Sequence, residues 1–179
     1  MQFRKTLNRI LSGVFSRLSS LTDNLRYQKY SFYIDSYDIE PKANFFKGSD
    51  TYVYGEGKFS VKQGSYCGAR CGIYVDQNSA VLIGANTALS HNVRIYTSNR
   101  NADDVIHGMT PVTVKVGSVS IGDNCWIGAN VFICEGVSIG DNVVVGANSV
   151  VSKDIQSNSI AVGAPIRVIK ASVRKVNKW

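Results

Sequence analysis

Residues 121–150 read IGDNCW, IGANVF, ICEGVS, IGDNVV and VGANSV, which are five consecutive units of six residues. Each unit opens with an aliphatic residue and carries Asn or Gly at its fourth position. A period of six fits neither the 3.6-residue turn of an α-helix nor the two-residue alternation of a flat strand. It fits a short strand and a tight turn that repeat around a coil. This stretch therefore predicts a parallel β-helix in which each unit places one aliphatic side chain in the core.

The same phase continues upstream of this stretch. Aliphatic residues in phase occur at Ile83, Leu89 and Ile95, and the pattern is weaker at positions 53, 59, 65, 71 and 77. Ile95 and Ile121 are 26 residues apart, two more than four periods, so we expect the chain to leave the coil between residues 96 and 120. The sequence thus predicts an all-β body over residues 45–170 with a protruding loop, followed by a basic tail at 171–179.

The first 44 residues are predicted to form an N-terminal extension. Apolar residues recur at helical spacing from Phe3 to Leu21, together with four basic residues and no acid. This pattern predicts an amphipathic helix, and an aromatic-rich connector follows it. Two roles stay open for residues 3–21: peripheral contact with an anionic inner-membrane surface, or packing on the β-helix of the same or a neighbouring chain.

The formal net charge is +7, but the basic residues are concentrated at the two ends of the chain. Residues 1–17 and 167–179 contain nine basic residues and no acid, whereas the stretch between them is slightly acidic. A nucleic-acid-binding protein typically carries its basic residues along the folded body, so we expect no nucleic-acid partner. Positive charge at the ends better suits a lipid surface or a small anionic ligand.

The four cysteines, Cys67, Cys71, Cys125 and Cys134, contain no C-x-x-C pair. With two histidines in the chain, no common zinc-binding pattern can be completed, so we expect free thiols and no metal. Free thiols are typical of a reducing compartment, and the N-terminus lacks the uninterrupted apolar stretch of a signal peptide or membrane-spanning helix. The sequence therefore predicts a cytoplasmic protein, with peripheral binding at the inner membrane as the alternative.

The segment IGDNCWIGANVFICEGVSIGDNVVVGANSVVSKDI and the closing VGAPIRVIK resemble the hexapeptide-repeat acyltransferases. Within that family the chain is most similar to galactoside and maltose O-acetyltransferases and to enzymes that O-acetylate bacterial capsule and lipopolysaccharide sugars. The resemblance covers residues 83–170 well and residues 45–82 loosely. It implies a left-handed parallel β-helix, a homotrimer, and acetyl-CoA bound in the groove between neighbouring subunits. The implied reaction is direct attack by a hydroxyl of a surface polysaccharide, or of its sugar precursor, in a ternary complex.

The resemblance also assigns residues to the co-substrate. It places Trp126 and Ala129 beside the thioester, Ala147 along the pantetheine arm, and a cluster of polar and basic residues around the rest of the molecule. That cluster comprises Ser152, Lys153, Arg167 and Lys170. The residue types suit the ligand, because cationic side chains bind a diphosphate and small residues let a thin, amide-rich chain approach the backbone.

The family's catalytic histidine has no counterpart at the aligned position. That position falls on Arg100, or on Asn101 after a one-residue slip, and neither side chain is a general base. Imidazole suits this task because its unperturbed pKa is near 6.5. His107 is the preferred candidate because it lies in the predicted loop that bears the family histidine. His91, in the corner of the unit that begins at Leu89, is the second candidate, facing a neighbouring subunit's groove.

Arg70 aligns where the galactoside enzymes carry an Asn near the acceptor, so Arg70, Arg100 and Trp126 are the candidate acceptor-binding residues. Two arginines suggest an acidic sugar. Asp103 and Asp104 either orient an imidazole or pair with Arg100. Because the family histidine is missing, an inactive β-helix paralogue or scaffold that binds CoA stays open as the alternative. A γ-type carbonic anhydrase does not fit, because it needs three zinc-binding histidines for each site.

Overall fold

The computed structural model describes residues 11–18, 20–22, 36–40, 43, 45–46, 48 and 50–171. The chain divides into two compact units, residues 1–36 and 37–179. In the first unit, residues 11–18 and 20–22 are helical and form α1. Its apolar stripe is 45–70% exposed, and it consists of Leu11, Val14, Phe15, Leu18 and Leu21. Residues 3–10 of the predicted helix lie outside the described residues. No helix of the described part is long and apolar enough to cross a membrane.

The second unit is a parallel β-solenoid of about five turns with three faces, which confirms the predicted β-helix. Face 1 contains β1 (Asp38–Ile39), β3 (Lys58–Val61), β6 (Ala80–Ile83), β11 (Val119–Ile121) and β14 (Ser138–Ile139). Face 2 contains β4 (Tyr66–Cys67), β7 (Ala88–Leu89), β12 (Trp126–Ile127), β15 (Val144–Val145) and β17 (Ser159–Val162). Face 3 contains β2 (Tyr52–Gly55), β5 (Gly72–Val75), β8 (Arg94–Tyr96), β13 (Phe132–Ile133) and β16 (Val150–Val151). A final strand, β18 (Arg167–Ala171), pairs antiparallel with β17.

The core consists of aliphatic columns that run from coil to coil. On face 2, one column contains Cys67, Leu89, Ile127, Val145 and Ala161, and all five residues are buried. Faces 1 and 3 have equivalent columns, which include the predicted core positions 121, 133, 139 and 151. Burial of a Val or Ile side chain contributes about 1.5–3 kcal/mol, so stacking the coils stabilises a backbone that is rich in turns.

Asparagine shapes most of the corners between faces. Among the residues that the structure describes, seven asparagines adopt the left-handed conformation with φ between 54° and 61°. They are Asn86, Asn92, Asn124, Asn130, Asn142, Asn148 and Asn158. Asparagine tolerates this conformation better than other residues with a Cβ, which explains why it recurs at the fourth position of the repeat. The side chains also form ladders, since the Asn92 amide donates to Asn130 at 2.8 Å and the Asn130 amide donates to Asn148 at 3.0 Å.

A substitution at one corner tests this role. Asn142 has φ 56°, and its side-chain amide donates to the carbonyl oxygen of the Asn158 side chain at 3.2 Å. Both Asn142→Ala and Asn142→Gly remove that bond, but only glycine adopts the left-handed conformation without steric cost. We expect Asn142→Ala to be less stable than Asn142→Gly by about 1 kcal/mol in the free energy of unfolding, measured by urea denaturation. Equal stability of the two variants would contradict the assigned role of this corner.

The weak upstream phase was correct at Val53, which is buried in the face 3 column with Ile73, but it was wrong at the other four positions. The core columns in the second coil pass through Val61, Cys67 and Ile73. Phe59 is a second buried residue of β3, and positions 65 and 71 are buried at corners. Core residues are eight apart from Val53 to Val61 and ten apart from Ile73 to Ile83, instead of six, because the flanking strands β2, β3, β5 and β6 have four residues each rather than two. The turns between these strands are residues 56–57 and 76–79. Gln77 lies in the second of these turns and is exposed.

The chain leaves the coil between β8 and β11. There it forms an antiparallel hairpin of β9 (Ser98–Arg100) and β10 (Val114–Val116), with the short helix α2 (Ala102–Ile106) between the strands. The Asp104 carboxylate accepts hydrogen bonds from the Thr113 backbone N–H at 2.8 Å and from the Thr113 hydroxyl, which hold the pKa of Asp104 below its ordinary value. The Asn99 amide donates to Glu135 at 2.5 Å. The hairpin is thereby fixed at the edge where face 3 turns into face 1, the 3–1 edge.

Candidate active site

The edge where face 2 turns into face 3, the 2–3 edge, carries a column of small residues and one histidine. In successive coils the column contains Ala69, His91, Ala129 and Ala147. Backbone hydrogen bonds fix this register. The N–H groups of Asn92, Asn130 and Asn148 donate to the carbonyl oxygens of Ala69, His91 and Ala129, at 2.8, 3.0 and 2.9 Å respectively. Ala129 and Ala147, both predicted to contact the co-substrate, thus lie in one line with His91.

A cavity of about 330 Å³ opens beside this column on face 2. Its walls include Tyr66, Ala69, Ala88, Ser90, His91 and Trp126. The strand register explains why a cavity exists here, because Ala88 pairs with Tyr66 on one side and with Trp126 on the other. All three side chains point outward, and the short alanine leaves a gap between two aromatic rings. Trp126 is 59% exposed at the mouth of this gap.

His91 is held against the neighbouring coil. Its Nδ1 accepts a hydrogen bond from the Ala69 backbone N–H at 3.0 Å. A Cβ added at Gly68 would lie 2.9 Å from both the backbone nitrogen and Nδ1 of His91, so only glycine permits this close approach.

His107 follows α2 at the tip of the hairpin and is exposed. Its Nδ1 lies 2.7 Å from the backbone carbonyl oxygen of Asp103. A carbonyl oxygen only accepts hydrogen bonds, so we assign the proton of the neutral ring to Nδ1. Nε2 then carries the lone pair, which is the arrangement that a general base requires.

The structure brings one group of predicted residues together at the 2–3 edge. This group contains His91, Trp126, Ala129 and Ala147, and Arg70 lies at the same edge. Arg70 adopts a left-handed corner conformation with φ 61°, and its carbonyl oxygen accepts a hydrogen bond from the Arg94 guanidinium.

The other predicted residues lie elsewhere on the same chain. His107 and Arg100 belong to the hairpin, and Ser152 and Lys153 follow β16 at the 3–1 edge. Arg167 and Lys170 are exposed on β18, where they pair with Val162 and Ile160 of face 2. Within one chain, the hairpin and the column at the 2–3 edge are separated by the width of face 3.

The hairpin residues around Arg100 have structural roles. Arg100 pairs with Val114 at the end of β9, and the Asn101 side chain caps α2 by accepting the Asp103 N–H at 3.2 Å. The Asp104 carboxylate binds Thr113, and the Asp103 group that contacts His107 is its backbone carbonyl rather than its carboxylate. The imidazole is therefore oriented by the backbone of α2.

All four cysteines are free. Cys67 forms part of the cavity wall, but its thiol is buried and donates to the Phe45 carbonyl at 3.0 Å. A hydrogen bond with Cys71 and burial raise the pKa of Cys67, and burial also raises the pKa of Cys125. The Cys67 and Cys125 thiols are therefore not activated nucleophiles. In the described ranges, no group of three or more His, Cys, Asp and Glu side chains is placed to hold a metal ion.

Sequence reasoning missed Tyr66 and a row of aromatic residues on face 3. The row consists of Tyr52, Tyr54, Tyr74, Tyr96 and Phe132, with ring centroids 5.0–6.2 Å apart. Each of these side chains is adjacent in sequence to a core residue and points outward. Tyr66 precedes Cys67 in the same way, so the correct phase of the second coil would have placed it on face 2 with Trp126.

Comparison with known proteins agrees with this architecture. Residues 118–153 match the family described as the hexapeptide repeat of succinyl-transferase. A solved maltose O-acetyltransferase from Clostridium difficile is 37% identical, with 71% of this chain and 70% of that chain covered and a TM-score of 0.55. The chain belongs to the hexapeptide-repeat acetyltransferase family.

Other members of the family extend this comparison. The galactoside O-acetyltransferase of Escherichia coli is 33% identical over 134 residues, 74% of this chain. A point mutant of AntD, an N-acyltransferase from Bacillus cereus solved with dTDP and coenzyme A, is 26% identical, with 77% of this chain and 82% of that chain covered and a TM-score of 0.59. The chain spans 59–66% of the length of the first two curated relatives it matches.

Proposed function

We propose that this protein is an acetyl-CoA-dependent O-acetyltransferase that modifies a sugar hydroxyl of a bacterial surface polysaccharide or its precursor. The observation that carries the proposal is the 2–3 edge, where the Ala129–Ala147 column meets the cavity beside Trp126. This arrangement occurs in a chain that is 37% identical to a maltose O-acetyltransferase.

The residues at this edge fit acetyl-CoA. The pantetheine arm is thin and rich in amides, and methyl side chains at Ala129 and Ala147 leave the backbone open to it. The two coils are also packed closely at this edge, since a Cβ at Gly128 would lie 2.6 Å from the Ala147 backbone nitrogen. Arg167 and Lys170, exposed on the last strand, supply cationic donors for the phosphates. When bound, acetyl-CoA would supply the acyl group.

His107 is the proposed general base. Its Nε2 accepts the proton of the acceptor hydroxyl while the oxygen attacks the thioester carbon, and the proton then passes to the sulfur as the C–S bond breaks. The Asp103 carbonyl holds Nδ1–H throughout and stabilises the imidazolium. Because the hairpin leaves the 3–1 edge, His107 must reach the 2–3 edge of a neighbouring copy. We therefore propose a homotrimer with shared sites, which the 51–75% exposure of Val105, Ile106 and Met109 at the hairpin tip supports.

The experiment that tests the proposed function is an assay of the full chain with acetyl-CoA and a panel of sugars. Calorimetry would measure acetyl-CoA binding, release of the CoA thiol would measure turnover, and mass spectrometry would identify an acetylated product. The proposal predicts both binding and transfer. Binding without transfer to any sugar would support the inactive paralogue, and absence of acetyl-CoA binding would refute both.

Arg167→Ala tests the phosphate assignment. If the guanidinium makes a charged hydrogen bond to a phosphate, its loss should weaken acetyl-CoA binding by about 1–3 kcal/mol, or about 5- to 150-fold in Kd. Lys58→Ala is the matched control, since Lys58 is an exposed cation on β3, several coils away from β18. A calorimetric Kd for Arg167→Ala equal to that of the control would remove Arg167 from the site.

A second candidate function is N-acylation of an amino sugar. It is favoured by the absence of a histidine at positions 100 and 101, where Arg100 and Asn101 cannot act as a general base, together with the likeness to AntD, solved structures of which contain dTDP-4-amino-4,6-dideoxyglucose. A neutral amine already carries a reactive lone pair, so its acylation depends less on a general base. Transfer to this amino sugar that survives His107→Ala would favour N-acylation, whereas transfer to maltose that requires His107 would favour O-acetylation.

A further inference from the structure

We infer that His91 is a hydrogen-bond donor that holds the sugar acceptor in the cavity between Tyr66 and Trp126, and that it is not a second general base. This inference rests on the proposed function, because it assigns the acceptor to that same site. It concerns a residue that the proposed reaction leaves without a role.

The hydrogen bond at Nδ1 fixes the tautomer of His91. The Ala69 backbone N–H donates to Nδ1 at 3.0 Å, and an amide N–H cannot accept. Nδ1 therefore carries the lone pair, and we assign the proton of the neutral ring to Nε2. Taking up a second proton would place two N–H groups against each other and break this bond. Nε2 is thus a donor, the opposite of the arrangement at His107.

The imidazole ring of His91 is held rigidly by its surroundings. Backbone bonds hold the coils on both sides of His91: its carbonyl accepts the Asn130 N–H at 3.0 Å, and the Ala69 carbonyl accepts the Asn92 N–H at 2.8 Å. Gly68 lies directly against the ring, with no room for a side chain. A donor fixed by its surroundings loses little conformational entropy when it binds a ligand.

The size and walls of the cavity suit a sugar ring. Its volume of about 330 Å³ is at the lower end of the range for small-molecule sites, which suits a single sugar ring. The aromatic rings of Tyr66 and Trp126 flank the gap above Ala88, so they can cover the apolar faces of a pyranose. The Nε2–H of His91 and the Ser90 hydroxyl would then bind oxygen atoms at its rim.

The tautomer is measured directly by long-range ¹H–¹⁵N NMR of the imidazole rings in the wild-type protein at pH 8. We expect Nε2–H for His91 and Nδ1–H for His107. Addition of maltose or methyl β-galactoside is expected to shift the Nε2 resonance of His91. An Nδ1–H tautomer at His91, or no shift with either sugar, would overturn the inference, and neither readout depends on turnover.

Two variants separate a donor from a base. Glutamine retains an N–H near the position of Nε2 but has no basic nitrogen, whereas alanine retains neither. With maltose as acceptor, His91→Gln should stay within about threefold of the wild type, and His91→Ala should raise the acceptor KM roughly tenfold with a smaller change in kcat. Neither variant should change the Kd of acetyl-CoA or the melting temperature by more than a small amount.

The outcomes distinguish this inference from the proposed function. If His91→Gln lowers kcat as far as His91→Ala does, His91 is a base and the inference is wrong. If His91→Ala leaves KM unchanged, or weakens acetyl-CoA instead of the acceptor, the assigned ligand is wrong. If the wild-type protein does not bind acetyl-CoA at all, the proposed function fails, while the NMR experiments still decide the tautomer and the sugar contact of His91.

Discussion

His107→Ala is expected to lower kcat for acetyl transfer by about 10²- to 10⁴-fold, the range for loss of a positioned general base. His107→Gln should be equally impaired, because an amide has no basic nitrogen at the position of Nε2. The Kd of acetyl-CoA should change little, since His107 is assigned to the proton of the acceptor hydroxyl and not to a hydrogen bond with the coenzyme. Steady-state kinetics and calorimetry on the same preparations measure the two effects.

Lys115→Ala is the matched control for His107. Lys115 is exposed on β10 of the same hairpin, where it pairs with Asn99, and its loss should leave kcat unchanged. The glutamine variants provide a second comparison, since glutamine is expected to be tolerated at position 91 and not at position 107. If the kcat of His107→Ala stays within a few-fold of the wild-type value, His107 is not the general base.

Ile133→Asp is expected to abolish cooperative folding of the solenoid. Ile133 is fully buried on face 3, where it stacks between Ile95 and Val151. A carboxylate at this position has no partner in an aliphatic column, and burying it costs several kcal/mol in addition to the lost apolar contacts. This is a large part of the roughly 5–15 kcal/mol by which a domain is stable. Circular dichroism during heating should show no cooperative transition.

Leu82→Asp is the control for the core substitution. Leu82 lies between the buried Val81 and Ile83 on β6 but points outward and is 43% exposed. The same new charge at this position should leave the melting transition in place. A cooperative melt for Ile133→Asp close to that of Leu82→Asp would contradict the assignment of the core columns.

The sequence was most informative where its repeat is unbroken. From Ile121 to Val151 each turn has the same length, so the period alone identifies the residue that enters the core. The corners support this regularity, because Asn124, Asn130 and Asn142 share one backbone conformation. Upstream, the strands that flank the turns after Gly55 and Val75 have four residues rather than two, and nothing in a fixed period indicates where a strand lengthens.

The site was predicted less completely than the fold. Resemblance to a family indicated Trp126, Ala129 and Ala147, but the cavity also depends on Tyr66, whose position follows from the register that the weak repeat obscured. The two histidines could be found by elimination, whereas their opposite tautomers could not. Each tautomer is set by one backbone group, the Ala69 N–H or the Asp103 carbonyl, whose position depends on tertiary structure.

The most direct test is a crystal structure of the protein with acetyl-CoA. We expect the pantetheine arm along Ala129 and Ala147, the thioester beside Trp126, and His107 of a neighbouring copy within hydrogen-bond reach of the acceptor site. This expectation would be contradicted by coenzyme bound away from the 2–3 edge, or by a thioester with no copy of His107 near it.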